Sequence, residues 1–215
     1  MGLKGVIFDM DGVLVDSEPV HLESTIRMMN DDFGITFTSD DNREFLGSTD
    51  RHMYETLKKR HDLSPSSDEL IERRKAIYVD MLQSNGIPWR DGIRELVTDL
   101  AAQGLRIGLA SSGLRRIIEM ILETGNIRTH FGVVVTGDDV IAPKPAPDIY
   151  VEAIRQLGLA ASSCAAIEDT DVGVRAAKNA GASAIAFPAA STMHMDFSHA
   201  DVIVRSVGEI RQILM

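Results

Sequence analysis

The chain has 215 residues, of which 44% are hydrophobic and 25% are charged, a composition that is ordinary for a globular protein of one or two domains. Its 32 acidic residues against 22 basic ones give a formal net charge of −10, which argues against non-specific binding to nucleic acid or to anionic membranes. An anionic ligand would also be repelled at long range, so any phosphate site must carry its own local positive charge.

The single cysteine, Cys164, excludes an internal disulfide and favours a reducing compartment. Its apolar neighbours predict a buried structural thiol. No apolar run approaches the roughly 20 residues that a membrane-spanning helix needs. The first predicted strand also begins too close to residue 1 for a secretory signal to precede it, so we expect a cytoplasmic protein.

The first predicted strand is the apolar, mostly β-branched run Val6-Ile7-Phe8, which is typical of a strand covered on both faces. Asp9 ends the run and Asp11 follows, with Gly12 allowing a tight turn behind them. Ligands of open parallel sheets bind at the carboxyl ends of the strands, so both carboxylates are predicted to face a crevice. One can act as a nucleophile while its neighbour carries a proton. The alternative is an ordinary solvated turn.

The next seventy residues carry helical patterns and no convincing strand. Ser17 is the predicted cap of a first helix, and Asp50 is the predicted cap of a helix over residues 50–60. Ser66 and Glu69 have capping-box spacing before a helix over residues 67–83. A purely helical block after the first strand predicts a separate small domain. We therefore predict a core domain of residues 1–16 and 87–215 and a helical cap domain of residues 17–86.

From residue 91 the pattern alternates between helix and strand. A helix is predicted over residues 91–103, and Gly125, Gly158 and Gly181 are predicted to cap the carboxyl ends of later helices. Strands are predicted, in chain order, at 107–110, 133–136, 164–167, 184–187 and 202–204. The alternation predicts an α/β fold, a doubly wound parallel sheet with helices on both faces.

Polar clusters follow several of these strands, at the sheet edge where Asp9 lies. Ser111-Ser112-Gly113 offers hydroxyl and N–H groups to phosphate oxygens, although such a group is by itself commonly a helix cap. Lys144 lies between two prolines that prevent a helix, a restraint that a surface lysine does not need; an ordinary loop is the alternative. Glu168-Asp169 follows the strand at 164–167 and adds two carboxylates to the same edge.

Four stretches, taken together and in order, resemble the motifs of a known family: Phe8 to Glu18, Ser111 to Gly113, Ala142 to Asp148 and Glu168 to Gly173. They resemble the four motifs of the haloacid dehalogenase superfamily, in its β-phosphoglucomutase-like branch of phosphatases and phosphomutases. The resemblance implies a phosphoric monoester hydrolase that acts on small phosphorylated metabolites, such as sugar phosphates, through an aspartyl-phosphate.

The resemblance also assigns roles to residues. It implies that Asp9 is the nucleophile, that Asp11 is the general acid and base, and that Ser111 and Lys144 complete the catalytic set. Mg²⁺, which prefers about six hard oxygen ligands, is implied as the cofactor. Its implied ligands are Asp9, the backbone carbonyl of Asp11 and Asp169, with Glu168 binding directly or through water. The implied substrate contacts are Ser112, Gly113, His21 and Gly47, although a lone helical histidine is more often structural. Asp171 is instead predicted to be a helix-start residue.

The predicted cap domain departs from the phosphomutase pattern. Mutases of this branch carry a lysine immediately before a cap-loop glycine and an arginine three residues after it, and these residues hold the second phosphate. Around Gly47 this chain has Leu46 and Asp50, which cannot supply that clamp. The candidate replacements are Arg51, His52, Arg74 and Arg115, and the alternative is that these are solvated surface groups. The sequence therefore predicts a hydrolase, with a mutase as the alternative.

Two further classes of protein share part of this pattern. A halide-displacing enzyme would not need Asp11 and the acidic pair beside the nucleophile. A non-catalytic phospho-acceptor module shares an acidic Mg²⁺ site and a lysine, but it is usually a single domain without an inserted cap. The expected partner is a small phosphorylated metabolite, with no nucleic acid and no membrane; the oligomeric state is open, and a monomer is compatible with the sequence.

Overall fold

The computed structural model describes residues 2–45 and 48–215. The chain divides into two compact units, one of Met1–Asp16 with Ile87–Met215 and one of Ser17–Gly86. In chain order the elements are β1 (Gly5–Phe8), α1 (Glu18–Arg27) continued by a π-helical turn (Met28–Asp32), α2 (Ser39–Asn42), α3 (Asp50–His61), α4 (Ser67–Asn85), α5 (Ile93–Ala102), β2 (Arg106–Ser111), α6 (Arg115–Thr124), β3 (Phe131–Thr136), α7 (Asp148–Leu157), β4 (Cys164–Glu168), α8 (Asp171–Asn179), β5 (Ser183–Ala186), β6 (Val202–Ile203) and α9 (Val207–Leu214).

The larger unit is built on a parallel sheet with the strand order β3-β2-β1-β4-β5-β6. β1 is central: Ile7 aligns with Gly108 on one side and with Ala166 on the other. Because β1 is paired on both edges and covered on both faces, all four of its residues are buried. The predicted α/β fold is confirmed, and all the polar clusters that follow strands share one edge of the sheet.

Alternating side chains of the strands face opposite layers of helices. Ile7 belongs to a buried cluster that includes Tyr150 of α7 and Val174 of α8, so these two helices cover one face. α5 contacts β2 and α9 on the other face. Cys164 lies in the first of these layers as a buried free thiol, as predicted.

The smaller unit is helical and has its own hydrophobic core. Buried side chains from α1, α3, α4 and the segments between them form it: Met28, Met29, Phe37, Phe45, Met53, Tyr54, Leu57, Leu63 and Leu70. The capping box of Ser66 and Glu69 is present. Among the described residues of this unit no strand is found, as predicted.

Several predicted helix ends are wrong in detail. Ser17 precedes α1, but its side chain makes no capping hydrogen bond. The cap of α3 is Thr49, whose hydroxyl accepts from the His52 N–H, and not Asp50. Gly125 is the C-cap of α6, as predicted, although its φ of −76° is not left-handed. Its lack of a side chain serves packing, because a Cβ there would lie 2.3 Å from the Trp89 ring.

The remaining boundaries shift by one or two residues. α5 begins at Ile93 and not at residue 91, and Phe187 and Val204 lie just beyond β5 and β6. Within the described residues, no helix combines the length and the apolar character needed to cross a bilayer.

Candidate active site

Asp9 lies immediately beyond β1, and its N–H donates to the carbonyl of Ile167 at 3.0 Å. The chain then turns sharply at Gly12, whose φ of +76° is strained for other residues. A Cβ on Gly12 would also lie 2.0 Å from Oδ2 of Asp169. A glycine is therefore needed here for the backbone conformation and for the close approach of the turn to the acidic pair.

Lys144 joins two of the acidic motifs. Its Nζ lies 2.6 Å from Oδ1 of Asp9 and 2.6 Å from Oε1 of Glu168, and it also donates to the Ala110 carbonyl at 3.1 Å. The lysine side chain is only 8% exposed. Burial alone would lower the pKa of Lys144, but the carboxylates of Asp9 and Glu168 outweigh it and raise the pKa above its usual value. The lysine is thus held as a cation.

Glu168 is fixed by several neighbours. Its Oε1 accepts from Lys144 and from the Tyr150 hydroxyl, which is 2.6 Å away, and its Oε2 accepts from the Thr170 hydroxyl at 3.3 Å. Gly173, in the first turn of α8, packs directly on this carboxylate. A Cβ on Gly173 would lie only 2.1 Å from Cδ of Glu168. These contacts fix the Glu168 carboxylate in place, and the carboxylate in turn holds the Lys144 ammonium group.

Asp9, Glu168 and Asp169 form a buried acidic cluster whose ligand atoms all lie within 4.8 Å of one another. Burial, followed by the charges of Glu168 and Asp11, raises the pKa of Asp169 to about 8. Burial also raises the pKa of Asp9 well above its ordinary value, although the Lys144 charge opposes this shift. The single positive charge of Lys144 does not neutralise the carboxylates of this cluster. The donor set is all oxygen, so the cluster fits a hard divalent cation such as Mg²⁺.

The motif that follows β2 places Ser111 at the strand end, where it is buried, and Ser112 beside it on the surface. The Gly113 N–H donates to the Ser111 hydroxyl at 3.1 Å, and α6 begins two residues further on. The motif therefore forms a small polar turn at the same sheet edge as Asp9.

Three residues at this edge were missed by the sequence analysis. Tyr150 binds Glu168 and lies with its ring 5.2 Å from Nζ of Lys144. The Thr192 hydroxyl donates to Asp169 at 3.4 Å, and Arg90 donates to the Gly12 carbonyl at 2.7 Å. Only Tyr150 carried a local signal, since it lies on the apolar face of the helix that follows Lys144.

In the smaller unit, His21 stacks on Tyr78 with ring centroids 4.2 Å apart. Its Nδ1 lies 2.7 Å from Nη1 of Arg74. A guanidinium can only donate, so Nδ1 of His21 is the acceptor in this contact. Arg74 also pairs with Asp50 at 2.6 Å. Gly47 lies outside the described residues.

His21, Asp50 and Arg74 line a pocket of about 300 Å³ within the smaller unit. Its other lining residues are mostly polar: Glu18, Leu22, Thr25, Asn42, Phe45, Ser48, Thr49 and Met53. The pocket therefore offers hydroxyl, amide and carboxylate groups, and its single arginine is already paired.

Comparison with known proteins identifies the family. The family model described as haloacid dehalogenase-like hydrolase matches residues 6–187, which include the whole of the smaller unit and most of the larger one. The protein CbbY of Rhodobacter capsulatus is 32% identical over 94% of this chain and 92% of its own length. A phosphorylated carbohydrates phosphatase of Thermotoga maritima is 31% identical over 83% of this chain and 82% of its own length. The crystal structure of CbbY from Rhodobacter sphaeroides with phosphate has a TM-score of 0.83 at 27% identity, over 97% and 96% of the two chains.

The chain belongs to the haloacid dehalogenase-like hydrolase family. Structures of β-phosphoglucomutase-like members share its fold, so the predicted resemblance is confirmed. The predicted enzyme class, a phosphoric monoester hydrolase of the haloacid dehalogenase type, is confirmed as well. The alternative of a single-domain phospho-acceptor module is set aside, because the family model includes the helical insertion.

Proposed function

We propose that the protein is a Mg²⁺-dependent phosphatase of sugar phosphates or related small phosphate monoesters, acting through an aspartyl-phosphate on Asp9. The observation that carries the proposal is the buried cluster in which Asp9 and Glu168 share Lys144 while Asp169 lies alongside. The similarity to a phosphatase of phosphorylated carbohydrates supports the substrate class.

The cation would be held by carboxylate oxygens of Asp9 and Asp169 and by the backbone carbonyl of Asp11. Glu168 would act on it through water, because Oε1 of Glu168 is already committed to Lys144 and Tyr150. When bound, Mg²⁺ neutralises phosphoryl oxygens and keeps the carboxylates ionised. Lys144 supplies the second positive charge, so the site overcomes the repulsion between a phosphate and the net charge of −10.

In the first half-reaction, a carboxylate oxygen of Asp9 attacks the phosphorus atom and the ester P–O bond breaks. Asp11 donates its proton to the departing sugar oxygen. In the second half-reaction, water attacks the same phosphorus atom, Asp11 takes up the proton of that water, and the bond to Asp9 breaks to release phosphate. Ser111, Ser112 and the Gly113 N–H would hold phosphate oxygens during both steps.

A hydrolase is favoured over a mutase because the three arginines among the candidate replacement cations are already paired. Arg74 binds Asp50, and Arg51 lies 2.5 Å from Asp68. In the larger unit, Arg115 lies 2.5 Å from Asp139. A second phosphate would have to displace these carboxylates, whereas a single phosphate needs only the cluster around Asp9.

The test is a screen of sugar phosphates with Mg²⁺ in which inorganic phosphate and isomerised sugar phosphate are both measured. A hexose 1-phosphate is supplied with a catalytic amount of hexose 1,6-bisphosphate. We expect phosphate release to exceed formation of hexose 6-phosphate. Faster formation of hexose 6-phosphate would establish a mutase, and no turnover of any sugar phosphate would reject the substrate class.

A further inference from the structure

Arg90 lies in the short segment that leads into α5, and it binds the turn that carries Asp11 at two places. Its backbone N–H donates to the Leu14 carbonyl at 3.0 Å, and its Nη1 donates to the Gly12 carbonyl at 2.7 Å. The two acceptors flank Val13 in the turn, so a single residue holds the turn on both sides of Val13.

The turn has internal hydrogen bonds of its own. The N–H groups of Leu14 and Val15 donate to the Met10 carbonyl at 2.9 and 3.1 Å, and the Gly12 N–H donates to Val15. None of these bonds uses the Gly12 carbonyl, which belongs to a buried residue. Because a buried carbonyl without a donor is costly, the Arg90 side chain completes the hydrogen bonding of the turn.

The Arg90 side chain is itself fixed from the other side. Its guanidinium carbon lies 3.9 Å from the centre of the buried Phe187 ring, a stacking distance. The Phe187 N–H donates to the Glu168 carbonyl at 2.6 Å, so this ring is tied to the end of β4. Arg90 thus connects the turn that carries Asp11 to the strand that carries the acidic pair.

Keeping a half-buried arginine charged has a cost that nearby carboxylates partly offset. Burial lowers the pKa of Arg90 from its usual value, and the charges of Asp16, Asp169 and Asp91 oppose the shift.

We infer that Arg90 is a positioning residue for acid catalysis: by holding the Gly12 carbonyl against Phe187, it fixes the backbone that aims the Asp11 carboxyl group. This inference rests on the proposed phosphatase function. A misplacement of about 1 Å in a reacting group can cost about a hundredfold in rate. Loss of Arg90 should therefore affect the proton donation by Asp11 more than the attack by Asp9.

The test compares two substrates of the intact enzyme with Mg²⁺: the hexose phosphate that the wild type hydrolyses best and p-nitrophenyl phosphate. The sugar oxygen needs a proton to leave, whereas nitrophenolate hardly needs one. In Arg90→Met, which keeps the length of the stem, kcat for the hexose phosphate should fall roughly tenfold to a hundredfold. The fall for the aryl phosphate should be less than about threefold, with little change in KM for either substrate.

The matched control is Arg94→Met. Arg94 is an exposed arginine four residues further along the chain, and its guanidinium lies 5.6 Å from the Trp89 ring. It should leave the ratio of the two activities unchanged. Arg90→Lys retains the positive charge and a side-chain N–H donor. Its ratio of hexose phosphate activity to aryl phosphate activity should therefore lie between those of Arg90→Met and the wild type. If Arg90→Met does not fold, Arg90→Lys serves as the test. A ratio of hexose phosphate activity to aryl phosphate activity below that of the wild type would support the inference, and an unchanged ratio would overturn it.

Equal losses on both substrates, or no loss, would overturn the inference, because a structural or purely electrostatic role would weaken both reactions alike. A wild type that hydrolyses p-nitrophenyl phosphate and no sugar phosphate would instead reject the proposed substrate class. The two failures are therefore distinguishable from measurements on the wild type and on the variants.

Discussion

Gly173→Ala should destabilise the protein although alanine favours helices. Gly173 lies in the first turn of α8, where its added Cβ would meet the Glu168 carboxylate at 2.1 Å. To reach an ordinary contact of about 3.5 Å, that carboxylate must retreat by more than about 1 Å. Glu168 is only 1% exposed, and its Oε1 lies 2.6 Å from both Lys144 and the Tyr150 hydroxyl.

Hydrogen bonds to charged groups contribute about 1.5–3 kcal/mol each, and replacing a helical glycine by alanine returns up to about 1 kcal/mol. The net loss in the free energy of unfolding for Gly173→Ala is therefore about 2–5 kcal/mol. The same change releases Lys144 from its second carboxylate, so phosphatase activity should fall strongly as well.

The matched control is Gly208→Ala, in the first turn of α9. There the added Cβ would meet only the Ser206 hydroxyl, at 3.7 Å, so the protein should be unchanged or slightly stabilised. Urea unfolding of both variants and the wild type in excess chelator measures the difference. If Gly173→Ala is as stable and as active as Gly208→Ala, the packing of α8 on Glu168 does not hold Lys144 as described.

Asp11→Asn should slow the hydrolysis of sugar phosphates far more than that of p-nitrophenyl phosphate, and equal losses would argue against acid catalysis by Asp11. Chelation of Mg²⁺ should abolish turnover, and Asp169→Ala should raise the metal concentration needed for half-maximal activity at least about tenfold; full activity in excess chelator would remove the metal from the reaction. Burial raises the pKa of the Cys164 thiol from the ordinary value of 9.0, so iodoacetamide should alkylate it slowly in the native protein at pH 9 and rapidly in urea. Because the folded-state pKa is the higher one, ionisation of Cys164 should also lower the stability as the pH rises above 9.0, and equal alkylation rates in both states would show that the thiol is not protected.

Features with local causes were predictable from the sequence. The apolar run that ends at Asp9 is a buried central strand, because a strand covered on both faces must be apolar throughout. Ser66 and Glu69 form their capping box with neighbours three residues apart, and Lys144 lies in a loop between prolines. The convergence of the polar clusters followed from parallel strands, which end at one edge.

Features with long-range causes were not predictable in this way. Arg90 is 78 residues from Gly12, and nothing near either residue indicates their contact. Gly125 is the C-cap of α6, as predicted, but its close packing against the Trp89 ring has no local signal in the sequence. Ser17 and Asp50 were plausible caps by residue type, but Ser17 is buried without a capping bond and the cap before Asp50 is Thr49. For Arg90 and Gly125 the cause is a tertiary contact, whereas at α3 the cap is simply Thr49, the residue directly before Asp50.

The central claim is that Asp9 is the group to which phosphate is transferred, and the most direct measurement is phosphate release by Asp9→Asn. This change keeps the size of the side chain and removes the nucleophilic carboxylate. Asp9→Asn should fold, with a thermal unfolding temperature close to that of the wild type, and should release no phosphate above background from a sugar phosphate or from p-nitrophenyl phosphate with saturating Mg²⁺. Turnover by Asp9→Asn near the wild-type rate would contradict the account.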